Sequence, residues 1–174
     1  SVDHVKVYSR KKENRIVFAE TYGSKFDMEI EPTDKPEFLI DDVDVLLCAT
    51  NTNVELFDGA RLIPGQHVTG IIGSNKQLVE GGFLKRPRRE IDDNTAVRAD
   101  VIVTNLKESM VTEEQGDLFS PIKEGLININ DVYELGDLAT GKHPGRISDQ
   151  QITYHKNNNG TGSSEMAIAM TAYE

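Results

Sequence analysis

Two short stretches of this 174-residue chain carry residue types that could do chemistry. The first is GQHVTGIIGSN, from Gly65 to Asn75. His67 to Ile72 give the β-branched run of a buried parallel strand, and Pro64-Gly65 supply the turn into it. Glycines at 70 and 73 leave no side chain where a ligand could approach the backbone. Ser74 falls just past the strand, where open α/β sheets bind ligands in the crevice beyond their carboxyl ends. The second stretch is Ser9-Arg10-Lys11, at the end of the first strand. In a doubly wound nucleotide-binding fold, an acidic residue there bonds the adenosine 2′-hydroxyl, whereas an Arg accommodates a 2′-phosphate. Arg10 would give that phosphate a charge-assisted bond, Lys11 a second cation and Ser9 a hydrogen bond. The composition favours NADP, with NAD possible.

Alternating strands and helices would position both stretches. After a first strand over 4–8, the pattern predicts a helix from Lys11 to Tyr22 stopped by Gly23, then a strand over Asp27 to Glu31. Pro32 to Pro36 read as a loop and Glu37 to Ile40 as one helical turn. Asp44 to Thr50 form a third strand, an apolar run containing Cys48, with Asn51-Thr52-Asn53 at its carboxyl end. Loop or helix follows through 75–95, then a strand at Val101 to Thr104, a helix at Val111 to Gln115 and short helices near Asp131 to Leu138. Gln151 to His155 form a last strand. Ser163 to Glu174 form a helix whose packing face is Met166, Ala167, Ala169 and Met170. This order predicts an α/β fold with a mostly parallel, doubly wound sheet, and it puts the loops at 50–54 and 73–77 on one edge.

Composition narrows the partners. With 19 Lys and Arg against 29 Asp and Glu, the formal charge of −10 disfavours nucleic acid and acidic membranes. The one basic cluster, Lys85 to Arg89, runs into the acidic REIDD and reads as a solvated loop. A single cysteine excludes a disulfide framework and a cysteine-based zinc site, and no metal site is expected. No apolar run approaches the ~18 residues of a membrane helix. A soluble, cytoplasmic protein is the expectation. The phosphate-binding GxGxxG that should follow the first strand of a dinucleotide fold is nowhere in the sequence. Either the fold is another one, or that strand, its glycine loop and the first helix lie upstream of Ser1.

The ordered motifs decide between these. DVDVLLCATNT, RLIPGQHVTGIIGSN, REIDD, RADVIVTN, EEQGDLFSPIKEGLI, ELGDLATGKHPGRISDQQIT and HKNNNGTGSSEMAIAMTAYE occur in the order of similar blocks in the ornithine cyclodeaminase/mu-crystallin family. The chain resembles that family through most of its length. The resemblance implies a Rossmann portion over 1–155 without its first strand and glycine loop. A tail over 156–174 would return to a substrate and dimerisation half that is almost wholly absent here. It also implies hydride transfer between a nicotinamide and the Cα–N bond of an amino acid or cyclic imine, in a homodimer. By position, Ser9, Arg10 and Lys11 would meet the adenosine ribose or its 2′-phosphate. Ala49, Thr50 and Asn51 would pass under the cofactor, and Ile72, Gly73 and Ser74 would border the nicotinamide. Lys156 and Asn157 match the family's Lys-Ser pair near that ring. Ser74, the candidate catalytic residue, stands where cyclodeaminases carry an Asp. A serine hydrogen-bonds but is no carboxylate base, which favours a reductase or dehydrogenase over a lyase. A non-catalytic, mu-crystallin-like binding protein is the alternative from another class.

Overall fold

The computed structural model describes residues 2–73, 76–157 and 162–173, in two compact units, 1–43 and 44–174. In the first unit, β1 (Val5–Tyr8) pairs in parallel with β2 (Ile30–Thr33) across the helix α1 (Lys12–Phe26). The helix runs one turn past the expected stop, through Gly23. It ends at Asp27, whose left-handed φ of 50° lets its N–H reach the Gly23 carbonyl. Pro32, expected in a loop, lies inside β2, the kind of edge strand that tolerates a residue without an N–H.

The second unit carries a five-stranded, all-parallel sheet. Its strands are β3 (Val45–Cys48), β4 (His67–Gly70), β5 (Val101–Thr104), β6 (Val132–Glu134) and β7 (Thr153–Lys156), in the order β3-β4-β7-β5-β6. Between them run α2 (Lys76–Glu80), α3 (Asp93–Arg98), α4 (Lys107–Thr112), α5 (Gly116–Lys123) and α6 (Leu135–Ala139), with α7 (Gly162–Tyr173) last. Of the helix expected over 111–115, Val111 and Thr112 are helical, as the end of α4, whereas 113–115 form the break before α5, where Glu114 takes a left-handed φ of 47°. β6 was expected as helix; its three residues are too short a strand to show a period. Gly65 turns the chain into β4 at a φ of 92°, and a Cβ there would stand 2.6 Å from the Asp149 carbonyl oxygen, so only glycine makes this turn.

Side chains alternate across a strand, so the register sorts them into rows. One row runs Leu46, Val68, Tyr154, Ile102 and Val132 across all five strands, every member buried. With Ile91, Met110 and Leu118 it forms the core, each such side chain contributing roughly 1.5–3 kcal/mol by leaving water. The next row on that face runs Cys48, Gly70, Lys156, Thr104 and Glu134. Burial pushes the Cys48 thiol up, helped by Glu90 and Asp117, so it is an inert apolar group. Gly70 was expected to leave room for a ligand. The space is taken from inside: a Cβ on Gly70 would stand 2.5 Å from Ile91 Cδ1.

The opposite face is polar at its centre. His67 Nδ1 lies 2.7 Å from Thr153 Oγ1 and its Nε2 2.9 Å from Thr69 Oγ1. His155 Nε2 lies 2.9 Å from Asn105 Oδ1. Burial lowers both imidazoles, with His155 and Arg146 adding to the effect on His67 and Lys156 to that on His155. A base whose folded pKa is depressed stabilises above its unfolded value and loses that contribution as pH falls. Stability should therefore fall as pH drops below about 6.5, the ordinary imidazole value. Urea titrations at pH 7 and pH 5 check this. A His67→Gln/His155→Gln double variant should flatten the slope, and an unchanged slope would assign acid sensitivity elsewhere.

Flanking that centre, Val45 and Leu47 on the end strand β3 are 53 % and 74 % exposed. Of the packing face expected on α7, Met166 and Met170 are exposed, as are Ile168 and Tyr173 on the same helix. No helix among the described residues is long and apolar enough to cross a membrane.

Candidate functional site

The carboxyl ends of β3, β4 and β7 are tied together by three buried charged side chains. Glu90, Asp117 and Lys156 are each 0 % exposed. Glu90 Oε2 accepts from the Thr50 N–H and the Thr50 hydroxyl, both at 2.8 Å. Its Oε1 accepts from the N–H groups of Ile71 at 2.9 Å and Ile72 at 3.0 Å. One carboxylate thus clasps the chain leaving β3 and the chain leaving β4. Asp117, in the first turn of α5, holds the clasp in place: its Oδ1 accepts from the N–H groups of Glu90 at 2.9 Å and Ile91 at 3.2 Å. Its Oδ2 meets Lys156 Nζ at 3.2 Å, and Lys156 also donates to the Ile72 carbonyl.

Burial pushes the Asp117 carboxyl up, opposed by the Lys156 ammonium and by the two N–H donors. Each charge here is paired and hydrogen-bonded, the condition under which burial is tolerated. Asp92, two residues past Glu90, caps α3 by accepting from the Thr95 N–H at 3.0 Å and hydroxyl at 2.8 Å. Its other oxygen takes the Gly59 N–H at 3.0 Å. Arg89 is not the solvated residue expected of the basic cluster: it pairs with Asp93 at 2.8 Å and donates to the Ile91 carbonyl at 3.0 Å.

The sequence-derived candidates distribute as follows. Thr50, Ile72 and Lys156 belong to the clasp, with Ile72 and Lys156 buried. Lys156 lies on the core face of β7, its ammonium committed to Asp117 and Ile72. Ala49 and Asn51 are exposed beyond β3, and Gly73 is half-buried beyond β4. The Asn157 N–H donates to the Gly70 carbonyl at 2.9 Å, and its side-chain oxygen accepts from Asn105 Nδ2 at 3.0 Å. Ser74 lies outside the described residues. In the first unit, Arg10 and Lys11 are exposed after β1, and the Ser9 carbonyl accepts from Arg15 Nη1 at 3.0 Å. Glu90 and Asp117 were missed as site residues. The signals for them were their places in the blocks REIDD and EEQGDLFSPIKEGLI and the carboxylates standing next to apolar residues, in Glu90-Ile91 and Asp117-Leu118.

This edge offers positioned backbone rather than an exposed acid or base. Among the described residues, no group of three or more His, Cys, Asp or Glu side chains is placed to hold a metal. A cavity of ≈ 570 Å³ lies elsewhere, between α3, α5 and the start of β5, lined by Asp100, Ile102, Ile122 and Leu126 among others. We assign it no chemistry, because Asp100 is already engaged in holding the Ile152 N–H at 2.8 Å.

The pattern of the ornithine cyclodeaminase/mu-crystallin family matches residues 1–174, the whole chain. The chain belongs to this family. It is 27% identical over 174 residues to a Δ1-pyrroline-2-carboxylate reductase of Bacillus cereus, covering 99% of this chain and 50% of that one. The Δ1-pyrroline-2-carboxylate reductase of Thermococcus litoralis, solved with NADH and L-proline, superposes with a TM-score of 0.77 at 25% identity. That match covers 90% of this chain and 45% of the other. The iminosuccinate reductase of Paracoccus denitrificans, solved with NAD+, gives a TM-score of 0.79 at 23% identity over 97% and 47% of the two chains, a likeness of fold. The chain spans about half the length of the curated relatives it matches. The Rossmann-like α/β fold with its parallel sheet agrees with the expectation from sequence.

Proposed function

We propose that this chain is the cofactor-binding portion of an NAD(P)-dependent imine reductase or amino-acid dehydrogenase of the family. The observation that carries the reading is the clasp, which fixes the backbone beyond two adjacent parallel strands where such sheets hold nucleotides. Similarity to Δ1-pyrroline-2-carboxylate reductases supports a cyclic imine carboxylate as substrate class. The residues fit a dinucleotide in part. Ala49 and Asn51 are exposed and Gly73 half-buried, so the edge is open to a ligand, and Arg10 and Lys11 are open to a phosphate. The pyrophosphate loop is not in this sequence.

When bound, the nicotinamide supplies the hydride. The chain's own residues orient it. Ala49, Thr50 and Asn51 would support the cofactor through backbone, and Ile72, Gly73 and Ser74 would border the nicotinamide. Asn157 would sit beside that ring, and Lys156 would act through the Ile72 carbonyl it holds. Ser9, Arg10 and Lys11 would take the ribose and its 2′-phosphate, favouring NADP. Residues 1–155 would form the dinucleotide domain, and 156–174 would return to the substrate half, covering the exposed face of α7 in a cytoplasmic homodimer. A lyase of the cyclodeaminase type is disfavoured by Ser74 standing in place of a carboxylate.

The test is reduction of Δ1-pyrroline-2-carboxylate by NADH and NADPH with the full-length gene product and with this chain alone. Turnover is expected only from the former; turnover by the 174-residue chain would refute its assignment as a cofactor portion. Arg10→Asp in the full-length protein should weaken NADPH binding at least about tenfold more than NADH binding. Equal losses would remove Arg10 from the 2′-phosphate.

A further inference from the structure

Among the described residues, three buried side-chain polar atoms have no hydrogen-bond partner: Arg89 Nε, Tyr154 Oη and Gln115 Oε1. The side-chain oxygen of Gln115, Oε1, is buried and accepts no hydrogen bond among the described residues. The backbone of Gln115 is fixed on both sides. Its N–H donates to the Met110 carbonyl at 2.9 Å, and its carbonyl accepts from Leu118 at 3.1 Å and Phe119 at 2.8 Å as α5 begins. The orphan oxygen lies 3.9 Å from where a side chain on Gly73 would start. At the strand ends, both oxygens of Glu90, both of Asp117 and the carbonyl of Ile72 all have donors. Of the three orphans, Gln115 Oε1 is the one beside the Gly73 turn, and a buried acceptor without a donor needs a cause.

We propose that Gln115 Oε1 is a ligand acceptor, taking an N–H from the molecule bound over the Gly73 turn. The proposal deepens the reductase reading and rests on it. A carboxamide oxygen can only accept, so it selects a donor and rejects an isostere that presents a methyl or a lone pair. The reading supplies two donors of this kind, the carboxamide NH₂ of the nicotinamide and the protonated nitrogen of the imine. Gly73 serves both, since no side chain stands between the turn and Gln115.

The experiment compares wild type, Gln115→Leu and Gln115→Met in the full-length gene product. NADH and NAD+ binding is measured beside the 3-acetylpyridine analogue of NAD+, which replaces the carboxamide NH₂ by methyl, and kcat/KM for Δ1-pyrroline-2-carboxylate is measured at saturating NADH. If the carboxamide is the donor, wild type should prefer NAD+ over the analogue by about tenfold and both variants should lose that preference. If the imine is the donor, dinucleotide binding stays unchanged and kcat/KM falls about tenfold in both variants. Variants that fold and match wild type in both measurements overturn the proposal while leaving the reductase reading intact. A wild-type protein that binds neither dinucleotide overturns the reading and this proposal with it. Two variants of different shape keep the test open should one fail to fold.

Discussion

Replacing Lys156 with Met is expected to destabilise the protein by about 3–5 kcal/mol, the usual consequence of stranding a buried charge. Asp117 is 0 % exposed, and Lys156 is the cation it meets, at 3.2 Å. The substitution also takes a donor from the Ile72 carbonyl. Thermal unfolding should move down by roughly 10 °C for a chain of this size. A second signature separates lost charge from lost packing. Without the ammonium, burial would push the Asp117 carboxyl further up. An acid whose folded pKa is raised gives its full stability below its unfolded value and loses it as pH rises through the folded one. The deficit of Lys156→Met should therefore shrink as pH is lowered toward 4, which urea unfolding across that range measures. Adding Asp117→Asn should restore more than half the loss at neutral pH. A single variant costing under about 1 kcal/mol would mean that the pair is not held as an ion pair.

Glu90→Gln is the second large effect. The carboxylate accepts four hydrogen bonds, two per oxygen, and an amide can accept on one side only. Its NH₂ would face either the donors of Thr50 or the N–H groups of Ile71 and Ile72. Leaving such donors unpaired in a buried site costs about 2–3 kcal/mol. Thr50→Val, which removes only the hydroxyl's share, should cost about 1 kcal/mol. Under the proposed function, Glu90→Gln should also weaken NADH binding about tenfold in the full-length protein, because the two strand ends lose their common anchor. Fluorescence titration and thermal melts on the same preparations check both. NADH affinity unchanged in a destabilised variant would confine Glu90 to folding.

The sequence was most readable where one signal dominated. Val101 to Thr104, buried on both faces, was recognisable as an uninterrupted β-branched run, and the glycine-bounded strand at His67 stood out for the same reason. It was least readable where two signals conflict. Thr153-Tyr154-His155-Lys156 places a polar residue on each face of β7, so alternation puts Lys156 on the face of Tyr154 but could not reveal that this face is the buried one. The carboxylate of Asp117, 39 positions away, together with the Ile72 carbonyl makes that burial tolerable. Glu90 was masked by its neighbours: inside KRPRREIDD a composition argument sees a charged loop. Its actual role depends on contacts 40 positions back, at Thr50. Local patterns specify strands, whereas the site is assembled from long-range pairings of charge that no window contains.

The uncovered flank of β3 has a consequence for the fate of this chain in a cell. Among the described residues no strand pairs with the outer edge of β3, which with the exposed Val45 and Leu47 offers both a hydrogen-bonding edge and apolar surface. Chaperones and proteases read that combination as a sign of incomplete folding. Copies made without anything to cover this strand would be drawn into clearance or into pairing with one another, well before any deficiency in chemistry was felt. Abundance, rather than catalysis, would be the first trait to respond to changes at Val45 and Leu47.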